Sequence, residues 1–223
     1  MRNITVIVAG GSGTRFGAAL PKQFLLLAGR PVLMHTIEAF ADLSDEIVLV
    51  LPEAHRPLWH QLCVRHRFTV RHRVVAGGDT RWQSVKNAIE TLAVGPGDVI
   101  AVQDGVRPLL TASLVERAFV VARKQGSAVP VVPVTDSIRQ VEGDGISHIV
   151  PRDLLRAVQT PQAFDAVALK AAYDQPYQPV YTDDASVYEM AGYQVTLIEG
   201  EIDNIKITHP GDLLIAENLL KHE

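Results

Sequence analysis

The stretch Ile4-Thr-Val-Ile-Val-Ala9, followed by Gly10-Gly-Ser-Gly-Thr-Arg15, decides the fold. Its first half is apolar on both faces of a strand and rich in β-branched residues, which is typical of a central strand in a parallel sheet. Its second half is a glycine-rich loop, in which backbone N–H groups can approach an anion closely. The sequence therefore predicts a buried strand whose carboxyl end opens into a binding site.

Strand-like and helix-like segments alternate along the rest of the chain. Apolar runs predict further strands at 46–51, 69–75, 98–102, 128–134 and 194–197. Helical spacing predicts helices at 31–41, 57–64, 81–92, 113–124, 182–190 and 212–220. Two prolines in the segment 128–134 predict that it lies at a sheet edge or carries a bulge. The alternation indicates an α/β fold, a Rossmann-like, mostly parallel sheet with helices on both faces.

One segment does not fit the alternation. Residues 137–141 and 146–150 flank the turn-rich Glu142-Gly-Asp-Gly145 and predict a β-hairpin. A two-stranded ribbon is marginally stable by itself, so it must lie on its own domain or on another subunit. Since no linker or repeat divides the chain, we expect a single domain over residues 1–223 with a protruding β-arm at about 135–152.

The composition excludes several classes of protein. The chain has 223 residues, of which 47% are hydrophobic and 21% charged, with a formal net charge of −4. These values exclude a disordered chain and give no support for a nucleic-acid partner. No apolar run reaches the roughly 18 residues of a membrane span, so we expect no membrane partner. The one cysteine, Cys63, cannot form an internal disulfide, which predicts a cytoplasmic location.

Two polar loops follow strands, at the ends where open parallel sheets bind ligands. The loop Gly10–Gly17 matches neither the dinucleotide fingerprint nor the P-loop. Arg15 lies in this loop and Lys22 follows it, and two cations beside a glycine loop indicate a polyphosphate ligand. An ordinary turn with solvated charges is the alternative. After the strand at 98–102, Asp104 stands where it could hold Mg²⁺, and a turn or capping role is the alternative.

Other chemistries have less support. His60, Cys63 and His66 are spaced by three and would spread around a helix, with no fourth ligand of zinc-like spacing nearby. No G-x-S-x-G elbow supports acyl transfer, and the absent dinucleotide fingerprint disfavours a dehydrogenase. A non-catalytic nucleotide-binding module is a further alternative, and the presence of four charged residues together argues against it: Arg15, Lys22, Asp104 and Lys206.

Eight motifs, in order and over nearly the whole chain, carry a family resemblance. They are Ala9-Gly-Gly-Ser-Gly-Thr-Arg15, Pro21-Lys-Gln23, Gly77-Gly-Asp-Thr-Arg-Trp-Gln-Ser-Val85, Asp104-Gly-Val-Arg-Pro108, Pro133-Val-Thr-Asp-Ser137, Gln159-Thr-Pro-Gln162, Thr182-Asp-Asp-Ala-Ser186 and Asp203-Asn-Ile-Lys-Ile-Thr208. Together they resemble the 2-C-methyl-D-erythritol 4-phosphate cytidylyltransferases of the non-mevalonate isoprenoid pathway. The resemblance implies transfer of CMP from CTP to that polyol phosphate with release of pyrophosphate, Mg²⁺ as cofactor, and a homodimer joined by the β-arm. Ribitol 5-phosphate cytidylyltransferase, which shares the nucleotide half of the site, is the nearest alternative.

The resemblance also implies a role for each matching residue. Four would be catalytic, with Asp104 also the metal ligand: Arg15, Lys22, Asp104 and Lys206. Those expected to bind the nucleotide are Ala9, Gly10, Gly11, Gly13, Gly78, Asp79 and Ser84. Those expected to bind the acceptor polyol phosphate are Arg107, Ser137, Arg152, Thr160 and Thr182.

Overall fold

The computed structural model describes residues 1–10, 20–143 and 145–221. Its helices in these ranges are α1 (Val32–Glu38), α2 (Arg56–Arg65), α3 (Arg81–Glu90), α4 (Ala112–Gln125), α5 (Ala166–Ala172), α6 (Asp184–Met190) and α7 (Pro210–Leu220). Its strands there are β1 (Asn3–Val8), β2 (Leu26–Leu27), β3 (Arg30–Pro31), β4 (Glu46–Leu51), β5 (Arg73–Ala76), β6 (Val99–Asp104), β7 (Ser127–Pro133), β8 (Ile138–Val141), β9 (Ser147–Val150), β10 (Arg156–Val158), β11 (Gln162–Asp165) and β12 (Leu197–Glu199). None of the helices in these ranges is long and apolar enough to cross a membrane.

The main sheet is built around β1. This strand pairs in parallel with β4 on one side and β6 on the other, and β5 extends the sheet in parallel from β4. Beyond β6, the antiparallel β11 links it to β7, which also pairs with the antiparallel β10 and the parallel β12. Since β10 and β11 alone run against the other strands of the described sheet, the expected mostly parallel α/β sheet is confirmed.

Side chains of β1 alternate between two apolar layers, as the two-residue period of a strand requires. Ile4, Val6 and Val8 pack in a cluster with buried residues of α3, α5 and α6. Ile7 packs in a second cluster with buried residues of α1, α2 and α4. Because successive side chains point to opposite faces of the sheet, helices cover both faces.

The strand β7 does not lie at a sheet edge, because it pairs with β10 and β11 on one side and with β12 on the other, so the edge alternative of that expectation is wrong. Val129 N donates to Thr196 O, and Gly200 N donates to Val131 O, so these residues of β7 face the β12 side. Pro130 between them faces the gap between β10 and β11, where its carbonyl accepts from the N–H of Gln159 at 2.8 Å. A residue without an N–H is tolerated where the neighbouring ladder is interrupted.

Two predicted strands are found shorter and shifted towards the C-terminus. The strands expected at 69–75 and 194–197 are found as the short β5 and β12. The segment Asn204–Thr208, which carries Lys206 and alternates between polar and apolar residues, forms no strand, although Ile207 N donates to Val106 O at 2.9 Å. Both sides of β6 are already taken by β1 and β11, so no edge of that strand is open to it.

The predicted hairpin is present. β8 and β9 pair antiparallel from Ile138 opposite Val150 to Val141 opposite Ser147. Among the strands that the structure describes, they pair only with each other. The side chain of Ile149 is 81% exposed and that of Val141 is 71% exposed, so the hairpin presents apolar side chains to its surroundings.

Candidate active site

The carboxyl ends of β1 and β6, and the turn that follows β5, border a cleft of about 380 Å³. Open parallel sheets bind ligands at this edge. The predicted site residues that line the cleft are Ala9, Gly10, Lys22, Gly78, Asp79, Ser84, Asp104 and Lys206. The expected nucleotide-binding and catalytic residues that the structure describes are therefore brought together in one place.

Asp104, the last residue of β6, lies among three cations. Its Oδ2 is 2.9 Å from Lys206 Nζ and 3.6 Å from Arg107 Nε, and its Oδ1 is 3.7 Å from Arg81 Nε. Burial by itself raises the pKa of Asp104, but the positive charges of Arg81, Lys206 and Arg107 outweigh it and lower the pKa to about 2. Asp104 is therefore ionised at neutral pH.

Backbone and amide contacts hold the Lys206 segment beside β6. Asn204 is fully buried, and its Nδ2 donates to Thr160 O at 2.9 Å. Two residues beyond, Lys206 reaches Asp104 while its own side chain stays 44% exposed. The ammonium group is thus fixed against the carboxylate and still faces the open cleft.

Two of the expected acceptor-binding residues lie next to Asp104. Thr160 is buried, and its Oγ1 accepts the N–H of Asp104 at 3.1 Å. Arg107 is also buried and donates from Nη1 to Asn204 O at 2.7 Å. Burial lowers the pKa of Arg107, and the charge of Asp104 only partly offsets this. Both residues are buried, and their contacts with Asp104 stabilise its position.

None of the five expected acceptor-binding residues is part of the lining of the described cleft, and the remaining three lie apart from Asp104 as well. Ser137 and Arg152 are exposed at the base of the hairpin, where Arg152 Nη1 donates to Thr135 O at 2.6 Å. Thr182 is exposed shortly before α6 begins. Arg15, Gly11 and Gly13 lie outside the residues that the structure describes.

The turn after β5 packs tightly on the start of α3. Gly78 N donates to Ser84 Oγ at 3.0 Å, and Thr80 caps the helix by accepting the N–H of Gln83 at 3.0 Å. A Cβ on Gly78 would lie 2.2 Å from Gln83 Cγ, so the turn leaves no space for a side chain. This close packing presents the backbone of Gly78 and Asp79 to the cleft.

Sequence reasoning gave no role to Arg81 or Gln23, and both line the cleft. Arg81 is the first residue of α3, where the helix dipole disfavours a positive charge. An arginine at this position indicates that a carboxylate pairs with it. The partner is Asp184, whose Oδ2 is 2.6 Å from Arg81 Nη2. Gln23 is buried and donates from Nε2 to Ala9 O at 2.8 Å, which fixes the end of the first strand.

The parallel sheet, the glycine turn and the cation-bound aspartate at its carboxyl edge define the chain as an α/β nucleotidyltransferase. The family model for 2-C-methyl-D-erythritol 4-phosphate cytidylyltransferase matches residues 3–222. The chain belongs to this family, as the motifs of the sequence indicated.

Relatives and solved structures agree over nearly the full chain. Proteins named 2-C-methyl-D-erythritol 4-phosphate cytidylyltransferase are 50% identical over 220 residues in Porphyromonas gingivalis, covering 98% of both chains, and 47% identical over 222 residues in Bacteroides thetaiotaomicron, covering 99% of this chain and 100% of the relative. The crystal structure of the enzyme with that name from Thermus thermophilus has a TM-score of 0.78 at 34% identity, covering 97% of this chain and 98% of the other. The 4-diphosphocytidyl-2C-methyl-D-erythritol synthase structure from Anaerococcus prevotii has a TM-score of 0.82 at 26% identity, covering 99% and 96%.

Proposed function

We propose that the protein transfers CMP from CTP to 2-C-methyl-D-erythritol 4-phosphate, giving 4-diphosphocytidyl-2-C-methyl-D-erythritol and pyrophosphate, in the non-mevalonate isoprenoid pathway. The observation that carries the proposal is the ionised Asp104 among Lys206, Arg81 and Arg107 at the carboxyl edge of the sheet. Membership of the family gives the identity of the two substrates and favours this acceptor over ribitol 5-phosphate.

The chemistry needs positive charge more than it needs a base. The nucleophile is a phosphate monoester, which is largely dianionic at neutral pH because its second pKa is about 6. It must approach the negatively charged α-phosphate of CTP in line, so cations have to neutralise charge and fix geometry. In this proposal Lys22 and Lys206, which line the cleft, act on the triphosphate together with Arg15. Loss of one such group costs on the order of 3 kcal/mol in the barrier.

The nucleotide base and ribose are assigned to the glycine turns. The backbone from Ala9 to Gly13 would wrap the nucleotide, and Gly78, Asp79 and Ser84 would hold the cytidine. The described part of this set lines the cleft, and Gly78 stands where only a residue without a side chain fits. The missing Cβ of Gly78 lets this turn pack against α3, and that packing holds the backbone of the turn at the wall of the cleft.

Asp104 fits a magnesium ion whose coordination is completed by the substrate. Mg²⁺ typically takes one or two protein carboxylates together with substrate phosphates. Within the described ranges no group of three or more histidine, cysteine or acidic residues could hold a metal ion. The low pKa of Asp104 keeps its carboxylate ionised at neutral pH, as a metal ligand must be. When bound, Mg²⁺ would supply further neutralisation of the phosphate charge.

The acceptor is proposed to bind between two subunits. Arg107 and Thr160 lie beside Asp104 and would hold the polyol phosphate with Thr182 from the same chain. Ser137 and Arg152 lie on the hairpin and would reach the acceptor from a partner subunit. In this arrangement residues 1–223 form one transferase domain, and the apolar side chains exposed on the hairpin are covered in a homodimer.

The proposed setting is the cytoplasm. Cys63 is the one cysteine of the chain and is free, which suits a reducing compartment. The proposed partners are CTP, the polyol phosphate and a second copy of the chain. The net charge of −4 gives no reason to add a nucleic acid.

The test is CTP-dependent release of pyrophosphate, with methylerythritol phosphate and ribitol 5-phosphate as parallel acceptors. We expect release with the first acceptor, and turnover of ribitol 5-phosphate alone would refute the proposal. Lys206→Gln should lower turnover on the order of 10²-fold. Lys124→Gln, a matched change on the exposed face of α4, should leave it unchanged. Binding of CTP without pyrophosphate from either acceptor would indicate a non-catalytic nucleotide-binding module.

A further inference from the structure

Arg81 pairs with a second carboxylate besides Asp104, and this second carboxylate is buried. Asp184 is fully buried, and both of its oxygens have partners. Its Oδ2 is 2.6 Å from Arg81 Nη2, and its Oδ1 accepts the hydroxyl of Tyr173 at 2.6 Å. Burial, with the charge of Asp184, raises the pKa of Tyr173 well above its usual value, so the hydroxyl remains a donor.

The same contacts dock one end of α3 onto two other helices. Trp82, the residue after Arg81, stacks on the ring of Tyr173 with centroids 5.9 Å apart and an interplanar angle of 23°. Tyr173 directly follows α5, and Asp184 is the first residue of α6. The start of α3 is therefore held by an ion pair and an aromatic stack at adjacent positions.

Arg81 joins this buried anchor to the cleft. Its Nη2 contacts Asp184, its Nε lies 3.7 Å from Asp104 Oδ1, and its side chain is 30% exposed as part of the cleft lining. An arginine in the first turn of a helix opposes the helix dipole, and a buried carboxylate offsets that cost while it fixes the plane of the guanidinium.

We propose that Asp184 and Tyr173 are positioning residues, which hold the Arg81 guanidinium in the orientation that binds the phosphates of CTP. This inference rests on the proposed function and adds a residue to its nucleotide site. Asp184 also takes up part of the Arg81 charge, so the carboxylate of Asp104 stays paired with Lys206 at 2.9 Å. Without Asp184, Arg81 would have Asp104 as its carboxylate partner among the described residues and would compete for it.

The test measures the Kd of CTP by calorimetry, together with KM for each substrate and the melting temperature. Asp184→Asn keeps the size of the side chain and removes its charge. It should weaken CTP binding about tenfold, the effect of losing one charge-assisted hydrogen bond, while KM for the acceptor stays unchanged. Tyr173→Phe keeps the ion pair and should weaken CTP binding about threefold, so the inference stays testable if Asp184→Asn does not fold.

A matched control separates positioning from stability. Asp98 pairs with Arg2 at 2.9 Å just before β6, at the opposite end of that strand from Asp104. Asp98→Asn should lower the melting temperature as Asp184→Asn does and leave the Kd of CTP unchanged. In an Arg81→Gln background, Asp184→Asn should change that Kd less than about twofold, because its effect passes through Arg81.

The outcomes that overturn the inference differ from those that overturn the proposed function. The positioning role alone is refuted if the Asp184→Asn variant binds CTP as tightly as the wild type. It is also refuted if Asp184→Asn weakens CTP binding by the same factor in the wild-type and Arg81→Gln backgrounds. A wild-type protein that neither binds CTP nor releases pyrophosphate refutes the proposed function and this inference with it.

Discussion

At the scale of single residues, charge is concentrated where distant parts of the chain meet. Asp104 ends β6, Arg81 begins α3, and Lys206 lies in the segment between β12 and α7. Each of these cations lies within 4.0 Å of the same carboxylate, at 3.7 Å and 2.9 Å. The pKa of Asp104 therefore depends on the packing of β6, the start of α3 and the Lys206 segment against one another.

The pH dependence of stability should reveal Asp104 directly. Despite burial, nearby cations lower its pKa from 3.8 to about 2. Its stabilising charge is therefore fully present above about pH 4 and is lost as the pH falls through about 2. We expect Asp104→Asn to be less stable than the wild type above about pH 4, with the gap closing towards about pH 2 in urea titrations. Asp174→Asn, at a side chain that is 78% exposed, is the control. An equal loss at every pH would contradict this expectation.

Gly78 offers a steric test of the turn after β5. An added Cβ would overlap Gln83, with Cβ 2.7 Å and Cγ 2.2 Å away, so Gly78→Ala must displace the turn. We expect a loss of about 1–3 kcal/mol in unfolding free energy. CTP binding should weaken about tenfold or more by calorimetry. Gly95→Ala, whose Cβ would meet no atom within 4 Å, should change neither quantity. Unchanged CTP binding in Gly78→Ala would place the cytidine elsewhere.

At the scale of elements, the local sequence pattern predicted the strands that are buried on both faces of the sheet. β1, β4 and β6 are continuous apolar runs because helices cover both sides, and a short window of sequence shows this. β10 has three residues and exists through its pairing with β7, which no local pattern encodes, and β12 was predicted with other bounds because its pairing with β7 sets them. The same limit applies to the site: motifs indicated Asp104 and Lys206, whereas the contact between Arg81 and Asp184 joins residues 103 positions apart.

The hairpin of β8 and β9 should be where two subunits meet. Ile149 is 81% exposed on a ribbon that pairs with no other described strand, so a partner is expected to cover it. Ile149→Asp should shift the protein from dimer to monomer in sedimentation at micromolar concentration and lower turnover at least tenfold, because the partner's arm no longer reaches the acceptor. Val64→Asp, at another exposed apolar side chain on α2, is the control. An Ile149→Asp dimer with full activity would argue against the arm.

At the scale of the whole molecule, the cleft joins residues from Val8 to Lys206. A ligand that fills it binds the folded chain and not the unfolded one, so it stabilises every element at once. This gain is RT ln(1 + [L]/Kd), about 2.7 kcal/mol at a concentration of 100 Kd.

Thermal unfolding should therefore distinguish a resident metal from one that arrives with the nucleotide. In the proposed site Asp104 is the protein ligand of Mg²⁺ and the substrate phosphates supply the others, so EDTA alone should leave the Tm unchanged. CTP with Mg²⁺ should raise the Tm more than CTP with EDTA, because Asp104 and the phosphates complete the ion's ligands together. A fall in Tm on adding EDTA without CTP would instead show a metal bound by the protein alone.

The cations around Asp104 have a kinetic consequence. The chain as a whole carries a formal net charge of −4, so an approaching nucleotide is repelled at long range and attracted only near the mouth of the cleft. Such a field favours approach of the nucleotide at the cleft over approach elsewhere, before any contact forms. Mobile ions screen exposed charges over about 8 Å at physiological ionic strength, and half-buried pairs much less. Salt therefore controls how fast the nucleotide arrives more strongly than how firmly it is held.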